Sequence, residues 1–148
     1  MDNIFSIGIV GVVAILLIYF AVKTIITSNY FQQGINLYEQ KDYVAAEAAF
    51  RKVLEMNSTN DAVHLFLGSI LVKQERVAEA IIEFEEVIRR APKKVDPYLR
   101  LADICIEQQN QRAAIAYLEA AKELLIKQKQ PQKAAQVTQL LTKLNASN

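Results

Sequence analysis

The feature that most constrains this 148-residue chain is a pattern that recurs every 34 residues from Thr27 onward. Five kinds of residue recur at that spacing: a small residue, an alanine, a large apolar residue, a smaller apolar residue, and a residue with an aromatic ring. The five sets of positions are Gly34, Gly68 and Ala102; Ala46, Ala80 and Ala114; Phe50, Phe84 and Leu118; Val53, Val87 and Ala121; and Tyr30, His64 and Tyr98. A fixed period of this length is typical of a solenoid of stacked helix pairs.

The recurring positions resemble those of the tetratricopeptide repeat family from Thr27 to about Ile126. The first set matches the family's small residue in helix A, the second its alanine in helix B, and the third its aromatic or large apolar residue. The family's terminal proline is matched once, by Pro92, whereas Ser58 and Ile126 depart from it. The resemblance implies an all-α fold in which three helix pairs stack as an α-α superhelix.

The register of the repeats predicts the domain boundaries. Three repeats cover residues 27–60, 61–94 and 95–128, and the second helix of the third repeat is extended. Residues 129–148 are predicted to form a C-terminal capping helix and tail, because Pro131 suits a first helical turn and an apolar stripe follows it. The stripe consists of Ala134, Val137, Leu140, Leu141 and Leu144.

Nine of the recurring positions are predicted to pack the helices against one another. A small side chain lets two helices approach closely, and the aromatic rings are expected to fill the gap between adjacent repeats. Because no repeat can bury its apolar face alone, the core arises from stacking. The predicted packing residues are Gly34, Ala46, Phe50, Gly68, Ala80, Phe84, Ala102, Ala114 and Leu118.

The N-terminal region, residues 1–26, is predicted to be a transmembrane anchor. Residues 4–22 carry no charged side chain, and a helix of that length spans about 28 Å, close to the hydrocarbon thickness of a bilayer. A cleaved signal peptide would have basic residues before the apolar run, but the chain begins Met1-Asp2-Asn3. A buried core helix would be unusually long and free of polar residues. We therefore expect contact with the lipid bilayer through residues 4–22.

The charges that follow the anchor predict its orientation. Lys23 comes directly after the apolar run, and Lys41, Arg51 and Lys52 are the next basic residues. The positive-inside bias predicts a single-pass integral membrane protein with its C-terminal domain on the cytoplasmic, or stromal, side. Because no Gly, Pro or loop-forming cluster separates the two parts, we expect the anchor helix to continue into the first repeat helix, either straight or kinked near residues 27–29.

Residues with catalytic or ligand-binding chemistry are few, and we predict no enzymatic activity, cofactor, metal ion or small-molecule substrate. The single histidine, His64, stands in a set with two tyrosines, which favours a packing position over a ligand or base. The single cysteine, Cys105, falls in register with Leu37 and Leu71, which favours a small core residue. A catalytic thiol would need a positioned base, and no second histidine is present.

The charged residues favour a solvated surface and give no reason to expect nucleic acid as a partner. The 17 Lys and Arg nearly balance the 16 Asp and Glu, for a net charge of +1. Glu83, Glu85 and Glu86 lie at helical spacing from Arg89 and Arg90, which is typical of an exposed face with i,i+3 and i,i+4 pairs. Five C-terminal lysines indicate either a soluble helix surface or contact with anionic lipid or an acidic partner. They are Lys122, Lys127, Lys129, Lys133 and Lys143.

Function is therefore expected to reside in a surface. In the tetratricopeptide repeat family the first helix of each pair lines a concave groove, so the resemblance implies protein partners. By register, the groove residues are Phe31, Ile35 and Tyr38; Leu65, Ser69 and Val72; and Leu99, Asp103 and Ile106. Such an apolar groove suits an amphipathic or hydrophobic helix, either a client segment or the protein's own anchor extension.

The groove residues also argue against one known activity of the family. Members that bind the acidic tails of heat-shock chaperones carry a clamp of Lys, Asn and Arg on this face. Phe31, Ile35 and Phe66 stand where that clamp needs Lys or Asn. Asp96 stands where it needs Lys, and only Arg100 fits. The sequence therefore predicts that chaperone tails are not the ligand.

The combination of one anchor, three repeats and a helical cap in a short chain also resembles a narrower family. It is similar to the membrane-anchored tetratricopeptide proteins of cyanobacteria and plastids that assist photosystem I assembly. This architectural resemblance implies a thylakoid location and transient scaffolding, with membrane-complex subunits or assembly factors as partners. The alternative is a generic bacterial inner-membrane adaptor that recruits a soluble partner to the membrane.

Overall fold

The computed structural model describes the backbone of residues 2–146 and the side chains of residues 8–146. Over residues 2–146 the chain forms seven helices and no strand, which confirms the predicted all-α fold. The side chains at positions 4–7, the start of the predicted span, lie outside the described residues. The helices are α1 (Asp2–Glu39), α2 (Tyr43–Met56), α3 (Asp61–Lys73), α4 (Val77–Arg90), α5 (Asp96–Glu107), α6 (Gln111–Lys127) and α7 (Pro131–Ala146).

The first helix contains both the apolar N-terminal run and the first helix of repeat 1. It is continuous over 38 residues, as the absence of a spacer predicted. Among the described residues it is the one helix that is long and apolar enough to cross a membrane, by length and composition. Every side chain from residue 8 to residue 22 is exposed, and Lys23 is the first that is partly covered.

The chain divides into two compact units, Met1–Asn60 and Asp61–Asn148. In the first unit, α2 packs antiparallel against the C-terminal half of α1. Ala46, Ala49, Phe50 and Val53 form its buried stripe, at the three- and four-residue spacing of an amphipathic helix.

The close approach of α1 and α2 depends on a glycine. A Cβ added to Gly34 would lie 2.8 Å from the ring of Phe50, closer than carbon atoms tolerate. Phe50 itself is fully buried. The aromatic ring therefore occupies the space left by the glycine of its own helix pair, in addition to any role between repeats.

The second unit contains two further helix pairs and the cap. α3 packs with α4, α5 with α6, and α4 also contacts α5. The core of the α3–α4 pair includes Phe84, which packs with Leu101 and Ile104 of the next repeat. Phe84 thus fills the gap between adjacent repeats, and its ring also lies against Gly68, where an added Cβ would be 2.5 Å away.

The last helix is a cap, as predicted. α7 begins at Pro131 and packs against α6. Its Ala134, Val137 and Leu141 are buried in one cluster with residues of α5 and α6, and Leu140 and Leu144 pack at the edge of that cluster. The outward face of α7 is exposed, so this helix ends the apolar stack with a polar surface.

Four helix ends share a turn that the repeat pattern did not predict. Lys41, Glu75, Gln109 and Lys129 have φ near +60°, in the left-handed region that favours glycine. In each case the following N–H donates to a carbonyl five residues back, as Asn110 does to Cys105 at 2.8 Å. This is the Schellman arrangement that ends helices, here formed without glycine. A glutamine precedes each of the four residues, and that repeated Gln would have been the sequence signal.

Replacing one of these residues by glycine is expected to stabilise the fold. Gln109→Gly should raise the free energy of unfolding by about 0.5–1 kcal/mol, because a side chain in the left-handed region costs about 1–2 kcal/mol and glycine removes most of that cost. Thermal unfolding followed by circular dichroism measures the change. Glu107→Gly, at the last residue of α5, is the matched control and should lower stability by about 0.5–1 kcal/mol, because glycine is the poorer helix former. Equal destabilisation by both variants would contradict the left-handed turn.

Candidate functional site

The predicted groove residues of the second unit lie on two neighbouring helices. α3 carries three of them and α5 the other three, and these helices contact each other directly. Five of the six side chains are half-buried and one is exposed. The half-buried residues are Leu65, Ser69, Val72, Leu99 and Ile106, and the exposed one is Asp103.

The core beneath this face determines how far each groove side chain protrudes. Leu65 and Val72 pack against the cluster around Phe84, and Leu99 packs against the cluster around Leu118. Their inner faces are thus held in place while part of each side chain remains accessible. A surface of partly exposed aliphatic side chains on a rigid support is suited to binding an apolar segment.

Two polar side chains interrupt this aliphatic surface. The Ser69 hydroxyl donates to the carbonyl oxygen of Leu65 at 2.9 Å, so it presents little unsatisfied polarity to a ligand. Desolvation raises the pKa of the Asp103 carboxyl, and the nearby Arg100 guanidinium partly offsets this effect. Asp103 is therefore an exposed carboxylate on this face that a basic residue of a partner would meet.

The three groove residues predicted on the first unit are partly engaged within that unit. The ring of Phe31 contacts the ring of Phe50 edge-on, with centroids 5.9 Å apart. The ring of Tyr38 contacts that of Tyr43 in the same way, at 5.8 Å. Phe31, Ile35 and Tyr38 are all half-buried. The nine-residue groove as a whole stays a prediction.

The recurring small and aromatic positions lie in the interior. Side chains at the alanine and large apolar positions of all three repeats are at most 1% exposed. Gly34 and Gly68 are buried and face the rings of Phe50 and Phe84, respectively. The third repeat carries Ala102 in place of the glycine and a leucine in place of the ring. These residues support the groove and do not line it.

The acidic cluster of α4 is not simply a solvated face. The Glu83 carboxylate lies 2.5 Å from Nδ1 of His64 on α3, and both side chains are largely buried. Our expectation that Glu83 points to solvent was therefore wrong. The spacing argument considered partners on the same helix only, whereas this partner is on the neighbouring helix. Glu86 and Arg89 do form the expected i,i+3 pair, which lowers the pKa of the Glu86 carboxyl.

A second, partly buried ion pair connects the start of α3 with the end of α4. Arg90 lies 2.9 Å from the Asp61 carboxylate and 3.6 Å from that of Glu86. Lys94, in the turn that follows α4, reaches the other oxygen of Asp61 at 3.4 Å. These charges hold the ends of the second helix pair together, so Arg90 has a structural role that the helical spacing alone did not indicate.

The thiol of Cys105 has no feature of a nucleophile. The side chain is buried, and desolvation raises the pKa of its thiol, which keeps it protonated at neutral pH. Among residues 8–146, no group of three His, Cys, Asp or Glu side chains is placed to hold a metal ion.

Comparison with known protein families identifies the repeats. Two family models described as tetratricopeptide repeat match this chain, one over residues 31–95 and the other over residues 95–124. Together these matches cover more than half of the chain and include the first helices of all three predicted repeats. No curated protein sequence matches the chain.

Solved structures with the same fold come from several organisms. The TPR2B domain of yeast Sti1, solved as a pHsp70 complex, has a TM-score of 0.74 at 19% identity, covering 84% of this chain and 99% of that one. The Yersinia enterocolitica type III secretion chaperone SycD, in complex with a peptide of the translocator YopD, has a TM-score of 0.73 at 16% identity, covering 81% and 92%. PcrH from Pseudomonas aeruginosa has a TM-score of 0.72 at 14% identity, covering 80% and 91%. At these identities the likeness shows the fold.

Proposed function

Because this chain belongs to the tetratricopeptide repeat family, we propose that it is a protein–protein interaction scaffold that α1 anchors in a membrane. The observation that carries the binding part is the row of half-buried aliphatic side chains on α3 and α5. The observation that carries the anchoring part is the exposed apolar surface of residues 8–22. Both surfaces are unfavourable in water and favourable against an apolar partner.

The partner that best fits the groove is an amphipathic or hydrophobic segment of another protein. Leu65, Val72, Leu99 and Ile106 offer aliphatic contacts, and Asp103 offers one acidic contact at the edge. SycD, which shares the fold, is solved with a peptide of a translocator. A hydrophobic groove of this kind can take the apolar face of an amphipathic helix. A segment with apolar residues and one basic residue satisfies this surface.

Anchoring would strengthen weak binding of this kind. A helix that carries the domain in the membrane confines it to a layer next to membrane-bound partners. The effective concentration of a partner in the same membrane then greatly exceeds its bulk concentration, so modest groove contacts suffice for transient holding. The positive charge of Lys23 directly after the apolar run supports a cytoplasmic or stromal location for the repeats.

The narrower hypothesis is that the scaffold assists assembly of photosystem I at a thylakoid membrane. It is supported by architecture, namely one span, three repeats and a cap in a short chain. The alternative is a bacterial inner-membrane adaptor for a soluble partner. Growth of a deletion strain on light compared with growth on fixed carbon separates the two, because loss of photosystem I assembly impairs only light-dependent growth.

Charge introduced into the groove is expected to abolish partner binding. Ser69→Glu combined with Ile106→Glu in the full chain should reduce the amount of co-purified partner at least about tenfold, because each unpaired carboxylate in an apolar contact costs about 1–3 kcal/mol. The measurement is affinity capture from solubilised membranes followed by quantitative mass spectrometry.

The matched control places the same charges on exposed apolar positions away from the groove. Val44 and Ile82 are 76% and 64% exposed and lie on the second helices of their pairs. Val44→Glu with Ile82→Glu should leave partner recovery unchanged, and circular dichroism should show equal helix content in both variants. Equal recovery in the groove variant and the control would place recognition elsewhere.

A further inference from the structure

The contacts between α1 and α2 define the direction in which their hairpin points. Earlier residues of α1 contact later residues of α2. The two helices are therefore antiparallel, and α2 runs back toward the apolar part of α1. From the turn to the far end, the contacts are Tyr38 with Tyr43 at 5.8 Å between ring centroids, Phe31 with Phe50 at 5.9 Å, and Thr27 Oγ1 with Met56 Sδ at 3.5 Å.

The end of α2 therefore stands beside the place where the apolar run of α1 stops. α2 ends at Met56, and a four-residue turn, residues 57–60, follows it. By the same antiparallel register, this turn is level with residues 23–27 of α1. Lys23 is also the first described side chain of α1 that is partly covered. The uncharged run of α1, which ends at Val22, thus stops at the level of the turn.

The depth of this turn follows from helix geometry. If residues 4–22 fill the hydrocarbon layer, residues 23–27 rise through about the next 6 Å. The headgroup layer on each side of a bilayer is about 5–8 Å thick. We propose that the turn at residues 57–60, together with Lys23, contacts the phospholipid headgroups, so that the first unit is docked on the membrane surface. This inference rests on the proposed anchoring by α1.

The chemistry of the turn fits a headgroup layer. Asn57, Ser58, Thr59 and Asn60 are polar and uncharged, whereas the residues 34 positions later are Ala-Pro-Lys-Lys. The Thr59 hydroxyl donates to Asn57 Oδ1 at 2.9 Å, and the Asn57 N–H donates to the Val53 carbonyl at 2.8 Å. A neutral turn with internally bonded polar groups meets phosphates without charge repulsion and with little desolvation cost.

The residues of α1 at the same level are also compatible with the boundary between lipid and water. Ile25 and Ile26, beyond Lys23, remain 60% and 41% exposed. The hydroxyls of Thr24 and Thr27 donate to backbone carbonyl oxygens four residues earlier, at 2.8 Å each. Lys23 can keep its stem along the apolar surface and its ammonium among the phosphates.

The other end of the hairpin has the opposite character. Glu39, Lys41 and Asp42 surround the α1–α2 turn and carry three charges. That turn lies 17 residues beyond Lys23 along α1, or about 25 Å. Two carboxylates flank the turn along the chain, and both are paired: Glu55 with Lys52 at 2.9 Å, and Asp61 with Arg90 at 2.9 Å. The turn at residues 57–60 therefore carries no charge where it meets the membrane, whereas the opposite turn is charged where it meets water.

Fluorescence quenching in vesicles tests this placement on the full chain. Single cysteines at Thr59→Cys, Gln40→Cys and Leu17→Cys, in a Cys105→Ala background, are labelled with an environment-sensitive dye and reconstituted in phosphatidylcholine vesicles. A fraction of the lipids carries a nitroxide on the headgroup or, separately, within the acyl chain. Circular dichroism checks that each labelled protein retains its helix content.

We expect the headgroup nitroxide to reduce emission at position 59 on the order of twofold and to leave position 40 unchanged, since about 25 Å separates their levels. The acyl-chain nitroxide should quench position 17. Quenching at 17 with none at 59 would overturn the headgroup contact while the anchor stands. No quenching at 17 would overturn the anchoring itself, and the headgroup contact with it.

Discussion

Gly68→Ala is expected to lower the free energy of unfolding by about 2 kcal/mol, although alanine is the better helix former. The added Cβ would lie 2.5 Å from the ring of Phe84, and forcing extra volume into a filled core costs about 1–3 kcal/mol. The gain in helix propensity recovers only about 1 kcal/mol. Urea or thermal unfolding of the full chain in detergent, followed by circular dichroism, measures the change.

The third repeat shows which second substitution should compensate. There the same two positions are Ala102 and Leu118, both buried, so a methyl group is present where the ring is absent. Phe84→Leu should therefore make Gly68→Ala less costly, with a coupling of about 1 kcal/mol between the two. Strictly additive effects would show that the ring and the glycine do not share this space.

Gly11→Ala is the matched control for the glycine substitution. An added Cβ there has no neighbour within 4 Å. The variant should be no less stable than the parent protein, because the added methyl group meets no neighbour and alanine is the better helix former. Destabilisation of similar size at Gly11 and Gly68 would mean that the ring contact is not the cause.

Two arginines in the apolar run are expected to remove the protein from the membrane. Each of Val13→Arg and Leu17→Arg costs about 2.5–3.5 kcal/mol near the centre of a spanning helix, so together they disfavour insertion by about 5–7 kcal/mol. The double variant should be found in the soluble fraction after alkaline extraction and should not float with membranes on a density gradient. The parent protein should remain with the membranes under both conditions.

Exposed apolar residues outside α1 provide the control for this experiment. Val44→Arg with Ile82→Arg introduces the same charge at positions that are exposed in the repeat domain. This variant should behave as the parent in extraction and flotation. If the α1 variant also floated with membranes, the association would have to come from the repeat domain, and the anchor would not be α1.

The repeat pattern predicted most of the fold because helical packing is dictated by local spacing. Small and aromatic residues such as Gly68 and Phe84 recur every 34 positions, and a stack of helix pairs buries all of the residues at that spacing. Pro131 and the apolar stripe after it predicted the cap, and the structure begins α7 at that proline. The same reasoning predicted one uninterrupted first helix, since nothing in the sequence between Lys23 and Ser28 breaks a helix.

The candidate site was predicted less completely, because exposure depends on neighbours that the pattern does not specify. Register placed Leu99 and Ile106 on the same face of α5, and both are half-buried there. It did not indicate that the ring of Phe31 would turn to contact Phe50 on α2. Whether an apolar side chain on such a face binds a partner or a neighbouring helix is decided by the packing around it.

By itself, the sequence determined the helix type, the pairing of helices and the long apolar N-terminal helix, since each follows from residue spacing along one chain segment. Only the tertiary structure decided that Glu83 meets His64 and that Arg90 meets Asp61. The physical reason is that apolar residues must recur with the helical period to be buried, so their pattern is visible in the sequence. An ion pair between two helices forms wherever tertiary packing brings opposite charges close together, and the sequence pattern does not specify that distance.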